Sequence, residues 1–469
     1  MPAHKLAQKI RNRQITSEQL VRIFIKRIKE IQPLVNAMAE DRFEQAIEEA
    51  KEIDRVLSKQ NIPENYSETN APLLGVPYTC KESIWVKDMT NSSGLVSRKD
   101  FRAPQDSLVV TYMKKAGAIL TCTTNIPEAT ASVESTNYVY GTTFNPYNLS
   151  RIAGGSSSGE GCLVSVCGSI LGIGSDMAGS IRIPSCFNGV YGHKPTSHLI
   201  SNDFQYPSFT GLQLDMLAVG PLCRYASDLK LIFKILCGPK FKDFDIDLKK
   251  LNFFYMKDLQ GCAVVSELSN ESRNALNKSI KFLETDLGVK IEEIKLKKFK
   301  FCYEMWSSLM CNGINNQEWL DYFTNEIQNP RTELIKSILG VQHEHILPLI
   351  LFKLSGLSRV HHTEYYIKML KDLKEEITEI IKDNGIILFP SYPTVAPYHN
   401  QTLLSNSMDF MYFGVFNILG VPVTQIPMGL NSQGLPTGIQ LIANHNMDLL
   451  TIKLAEYFET NLIGWVPPF

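Results

Sequence analysis

No apolar run in this sequence reaches the roughly 18 residues that a membrane-crossing helix needs. The longest candidates are Cys162–Gly174, broken by Gly and Ser, and the seven residues Ile346–Phe352. The opening MPAHKLAQKIRNRQ has no apolar h-region, so no signal peptide is expected there. Charge of one sign is also missing. Lys+Arg is 47 and Asp+Glu is 48, leaving −1, which argues against a polyanion binder and gives no nucleic-acid partner. None of the ten cysteines forms a C-x-x-C pair, and no H-E-x-x-H is present, so neither a zinc site nor any other metal site is expected. Scattered cysteines of this kind suit a reducing compartment and an intracellular location. Six N-x-[ST] tripeptides, at Asn65, Asn91, Asn148, Asn270, Asn277 and Asn400, point the other way and carry less weight. Repeats and low-complexity linkers are absent too.

What is present is ordinary globular material. Apolar residues make up 44% and aromatics 10% of the 469, enough for a large buried core. Length alone suggests about three domains. The first 60 residues read as helical. Thr16 and Gln19 suit a capping box for a helix that Pro33 would stop. A second amphipathic helix is expected over Arg42–Ser58, with Phe43, Ile47, Ala50, Ile53 and Leu57 on one face. After Pro72 strands and helices alternate. Strands are expected at Leu73–Cys80, Ala118–Thr123, Ile386–Pro390, Pro422–Met428 and Thr437–Ala443, and a helix at Ser107–Lys115. This alternation predicts an α/β fold with a central mixed, twisted sheet surrounded by helices. Residues 240–385 are more charged and read as a mainly helical cap or insertion.

The chemistry is concentrated in Arg151–Thr196. Three readings compete for its glycines and serines. A phosphate loop fits poorly: Gly154–Gly161 lacks a Walker lysine, and the pattern begun by Gly172 and Gly174 has Met177 where its third glycine belongs. Gly155–Gly159 formally matches G-x-S-x-G, yet the elbow needs a strand just before it, and Asn145–Arg151 reads as loop. The third reading pairs serine loops with a lysine. Ser180 follows Ala178-Gly179, where the chain turns tightly and aims N–H groups at one point. Its base is sought in Lys81, at the end of the apolar GVPYTC run, since burial lowers a lysine pKa. His193, in YGHKPT, reads as part of a structural turn.

The stretches GVPYTCKES, NSSGL, GGSSSGEG, GSDMAGSIRIPSCFNGVYGHKPT, LFPSYPTVAP and GVPVTQIPMGLN together resemble the amidase signature family, especially its fatty-acid amide hydrolases of the second type. The resemblance covers nearly the whole chain and implies one amidase domain over 1–469. It implies amide-bond hydrolysis by a Ser–Ser–Lys triad without a cofactor. Lys81 matches the base, Ser156 the bridging serine after a cis peptide bond, and Ser180 the nucleophile. The N–H groups of Met177, Ala178, Gly179 and Ser180 match the oxyanion hole. Ser157, Asp176 and Arg182 match supporting residues. The implied substrate is a long-chain fatty-acid amide. A glutaminase-type subunit of a tRNA-dependent amidotransferase, or an amidase of non-lipid linear amides, stays open beside it.

Two positions depart from the family pattern, Ser158 and Ala178, each standing where glycine is usual. Ala178 is tolerated only at negative φ, and its methyl is expected to narrow the pocket. The branch commonly begins with a membrane anchor, which the first residues here do not resemble. Either the chain is a shorter form, or peripheral membrane contact falls to the cap, through residues 346–352; a homodimer is left open. A buried core helix is the competing reading of 346–352. His343, His345, His361 and His362 are expected to be solvated or satisfied, and Lys295, Lys297, Lys298 and Lys300 to form a solvated face.

Overall fold

The structure, a computed structural model, describes residues 1–259, 261–311, 327, 329–341, 344–355, 361–405 and 407–469, with the backbone alone at Phe352, Ser355 and Leu404. Thirteen strands are described, and eleven of them form one mixed sheet. In chain order they are β1 (Met38–Asp41), β2 (Pro77–Lys81), β3 (Ile119–Thr124), β4 (Phe144–Asn145), β5 (Asn148–Ile152), β6 (Leu171–Asp176), β7 (Tyr191–Lys194), β8 (Ala218–Cys223), β9 (Asn252–Tyr255), β10 (Ile291–Glu293), β11 (Gly385–Pro390), β12 (Val423–Leu430) and β13 (Pro436–Ala443). The large sheet runs β1-β3-β2-β6-β8-β7-β12-β13-β11-β9-β10. β2 lies parallel to both β3 and β6, while β6 through β11 pair antiparallel.

Both faces of this sheet are covered. Alternate residues of β11 go to different apolar clusters: Ile386 and Leu388 to one, Ile387 and Phe389 to the other. That is the period-two signature of a strand buried on both sides. The first cluster takes in the N-terminal helices and the helix Asp448–Asn461. The second takes in the helices Cys302–Cys311, Thr363–Ile381 and Met411–Leu419. Among the described residues no helix is long and apolar enough to cross a membrane.

Local expectations meet the structure with some corrections. The capping box forms: the Gln19 N–H donates to Thr16 Oγ1 at 3.0 Å and the Thr16 N–H to Gln19 Oε1 at 3.1 Å. Pro33 does not stop that helix, which continues to Val35 and ends where Asn36 turns left-handed. Proline forfeits its own N–H bond, but its φ is already helical. The first 60 residues are not all helix, because β1 joins the sheet edge beside β3. Residues 145–151 are not loop. β4 and β5 form a separate hairpin, its turn held by the Tyr147 N–H donating to Asn145 Oδ1 at 2.9 Å. The described residues of the charged stretch 240–385 are mainly helical but also supply β9 and β10, which extend the sheet beyond β11. His193 lies in β7 rather than in a turn, buried against Thr424 and Asp448. Burial pulls its pKa down against the pull of that carboxylate.

Candidate active site

β2 and β6 are parallel neighbours, so their C-terminal ends open on the same side of the sheet, where an α/β fold presents its functional groups. Lys81 is the last residue of β2 and is buried. Asp176 ends β6, and residues 177–180 turn from it toward the helix Arg182–Phe187. The third component, residues 153–157, follows the β4–β5 hairpin and leads into the helix Ser158–Ser165. That helix packs tightly on β6 because β6 carries glycines. A Cβ on Gly174 would strike Ser157 Oγ, and one on Gly172 would strike the Glu160 carboxyl. These glycines serve close packing, not a phosphate.

Lys81 Nζ donates to Ser156 Oγ at 2.7 Å, to Ser175 Oγ at 3.0 Å and to the Ser175 carbonyl at 3.3 Å. Burial pulls its pKa from the ordinary 10.5 down to about 7, against the opposing fields of Asp176 and Glu160. Burial pushes the Glu160 pKa up to about 8 despite hydrogen bonds from Thr79 and Thr124 and the field of Lys81. The Gly155–Ser156 peptide bond is cis. Ser156 and Ser180 both face one cavity of about 340 Å³. The Ser157 N–H donates to the Ser180 carbonyl at 3.0 Å, tying the two serine loops together. Ser157 Oγ turns away from the cavity to the Ser175 carbonyl, so the formal G-x-S-x-G match has its central serine in a packing role.

The turn after β6 is held by a buried ion pair. Arg182 Nε and Nη2 each donate to Asp176 at 3.0 Å. The same guanidinium reaches the Phe413 carbonyl, Gln440 Oε1 and Asn417 Oδ1. Burial would raise the Asp176 pKa, but Arg182 and Asn417 hold it well below the usual carboxylate range. Asp176 in turn accepts the N–H groups of Gly179 and Ile181 at 2.7 and 3.1 Å. Here the geometry departs from expectation. Of the four N–H groups matched to an oxyanion hole, that of Gly179 is taken by Asp176. No described residue accepts those of Met177, Ala178 or Ser180. Gly179 has φ +113°, which requires glycine. Ala178 is not among the left-handed residues, so its methyl is tolerated, and it points across the cavity wall toward Gly414.

Replacing Arg182 with methionine leaves Asp176 buried without its cation. The expected loss is about 3–5 kcal/mol of unfolding free energy, read by denaturant titration. A loss below about 1 kcal/mol would mean that the pair does not hold the turn.

Sequence reasoning missed Ser175, whose carbonyl and hydroxyl both receive Lys81; its place beside Asp176 in GIGSDM was the available signal. It also missed Trp306, which lines the cavity and donates its indole N–H to the Met177 carbonyl at 3.4 Å. Of the four clustered histidines, His345 is buried, His361 and His362 are exposed, and His343 lies outside the described residues.

A family model described as Amidase matches residues 19–452. The chain belongs to the amidase family. Fatty-acid amide hydrolase 2-A of Danio rerio is 39% identical over 100% of this chain and 90% of its own length. Fatty-acid amide hydrolase 2 of Homo sapiens is 39% identical over 99% and 89%. A solved structure titled fatty acid amide hydrolase superposes with a TM-score of 0.80 at 22% identity, covering 100% of this chain and 86% of that one, a likeness of fold. As an amidase, the chain hydrolyses amide C–N bonds.

Proposed function

We propose that this amidase hydrolyses long-chain fatty-acid amides to fatty acid and amine, with Ser180 as nucleophile, Ser156 as proton bridge and Lys81 as base. The observation that carries the reading is a buried lysine of depressed pKa touching a serine on the wall of a largely apolar cavity that Ser180 shares. A neutral amine keeps two N–H bonds, which suit the Ser175 carbonyl and hydroxyl. Its lone pair is then left for Ser156, which reverses the 2.7 Å contact and donates. Ser180 attacks the carbonyl carbon as its proton passes to Ser156 and the Ser156 proton passes to Lys81. The oxyanion forms beside the N–H groups of Met177, Ala178 and Ser180, where a single donor is worth about 3 kcal/mol. The proton returns through Ser156 to the nitrogen, which leaves as a neutral amine. Water then enters by the reverse relay and releases the acid.

The walls support a lipid acyl group. Phe410, Trp306, Leu349 and Met177 line the cavity, and apolar walls suit a methylene chain better than a polar amide such as glutamine. The test is a screen of long-chain amides, short amides and glutamine. Preference for long chains is expected, and preference for glutamine would turn the assignment to a glutaminase-type enzyme.

Membrane contact belongs to the same reading, and Leu347 of the expected stretch 346–352 shares it with apolar residues of the neighbouring helix. Ile346, Leu349 and Ile350 are buried. Among the described residues 330–355 the exposed apolar ones are Ile335, Ile338, Leu339 and Val341, together with Leu347 and Leu354. They lie on and just after the helix Pro330–Leu339 and on the adjoining helix Leu347–Ser355. Ile338 and Leu339 are 74% and 69% exposed, so this face gains most by entering a lipid interface. Flotation with phosphatidylcholine vesicles is expected to carry the wild type. The double variant Ile338→Asp, Leu339→Asp should partition roughly 100-fold less, from about 1.5 kcal/mol per side chain. Equal flotation of the two would defeat the assignment.

A further inference from the structure

Two carboxylates outside the Lys81 network connect distant segments around the cavity. Glu128 is 1% exposed and His345 is 3% exposed. His345 Nδ1 lies 2.6 Å from Glu128 Oε1, and the Ile346 N–H donates to Glu128 Oε2 at 2.9 Å. One carboxylate thus takes a side chain and the next backbone N–H at the threshold of the helix Leu347–Ser355. Three of that segment's residues, Leu347, Pro348 and Leu349, form cavity wall. Six residues further along, Glu134 does the same to another wall segment, accepting the N–H groups of Asn400 and Thr402 at 2.7 and 3.1 Å.

The loop that carries both carboxylates is itself fixed. Ala129 and Thr130 hold left-handed φ values of 53° and 56°, and such backbone persists only where its surroundings enforce it. The Ala129 N–H donates to the Ser93 carbonyl at 2.7 Å, and Ala129 is buried. The same loop abuts the nucleophilic region: a Cβ on Gly155 would strike the Ser132 carbonyl. The wall helix is therefore referenced through Glu128 to the backbone that carries Ser156.

We infer that the Glu128–His345 pair is a positioning device that fixes the wall helix across the cavity and thereby sets the preference for long acyl chains. This rests on the long-chain reading above. Neither residue takes part in proton transfer. A short amide reaches Ser180 without using this wall, whereas a long chain packs along it. A wall set loose gives up chain contacts that are made alike in the ground state and the transition state, so the loss falls on KM.

The experiment compares the wild type with Glu128→Gln, His345→Leu and His345→Asn on a long-chain and a short-chain primary amide. Asparagine keeps a side-chain N–H close to the place of Nδ1. In Glu128→Gln and His345→Leu the ratio of long-chain to short-chain kcat/KM is expected to fall about tenfold, chiefly through KM for the long chain. His345→Asn is expected to retain most of the wild-type ratio. Equal losses on both substrates, an unchanged ratio in His345→Leu, or His345→Asn behaving as His345→Leu would each overturn the inference. A wild type with no long-chain preference would instead overturn the substrate reading, so the two failures are separable.

Discussion

Ser180→Ala is expected to lower kcat by about a million-fold and to leave the protein folded. The fold should survive because Ser180 is half-buried at the cavity wall, and its structural bond uses the backbone carbonyl that accepts from Ser157. Activity should vanish because the relay begins at the Ser180 proton, and no other serine on the cavity sits in the turn that presents free N–H groups. The measurement is turnover of a long-chain amide, with intact-protein mass after a fluorophosphonate probe. The wild type should gain one adduct and the variant none. An adduct on Ser180→Ala, or turnover within about 100-fold of the wild type, would place the nucleophile elsewhere.

Lys81→Met should abolish turnover and also change how stability responds to pH. Lys81 titrates near 10.5 when unfolded and near 7 when folded, burial being the main cause. Only the neutral amine accepts a proton, so wild-type activity should rise through about pH 7 and then level. The sign for stability follows from proton counting. Between pH 7 and 10.5 the unfolded chain holds a proton on Lys81 that the folded chain has lost. Burying this lysine therefore costs most below pH 7, and the cost fades as pH approaches 10.5. A shift of this size corresponds to about 5 kcal/mol in full, of which about 4 kcal/mol develops between pH 7 and 10.5. Methionine has a similar length and no proton to shed. The stability difference between Lys81→Met and the wild type should thus move by about that amount, in the wild type's favour, from pH 7 to 10.5. Lys194 is also buried, with a pKa of about 7, but it is present in both proteins and cancels. A difference that stays flat across the window would show that Lys81 keeps its ordinary pKa.

How much of this was legible beforehand depended on how local each feature is. Lys81, Ser156 and Ser180 sit in short motifs whose glycines and apolar runs dictate the backbone around them, and the structure brings Lys81 and Ser156 into contact and Ser180 onto the same cavity. Strands such as β11 were visible because Ile386–Phe389 are apolar without interruption, whereas β6, β7 and β8 in the middle of the sheet were not expected, their glycines, proline and polar residues breaking the apolar run. β1 and β10 were not, since edge strands keep charge: MAED and IEE carry no run to notice. The exposed apolar face was only partly visible for a related reason. Ile346–Phe352 stands out by composition, yet Ile346, Leu349 and Ile350 are core and Leu347 is exposed. Ile335, Ile338 and Leu339 are diluted by the charges of PRTELIKSIL and come together only on a helix. Glu128 and His345 are 217 residues apart, and no spacing rule connects them. The use of the Gly179 N–H depended on which way the Asp176 carboxylate faces, which is a property of the folded turn.

The Asp176–Arg182 pair has one more consequence. Through Gln440, Asn417 and the Phe413 carbonyl it fastens the nucleophile turn to β13 and to the helix Met411–Leu419, more than 230 residues away. A turn tied in this way to the sheet is expected to open only together with it. Hydrogen exchange at Gly179 and Ile181, whose N–H groups donate to Asp176, is therefore expected to follow the opening of the sheet rather than of the turn alone.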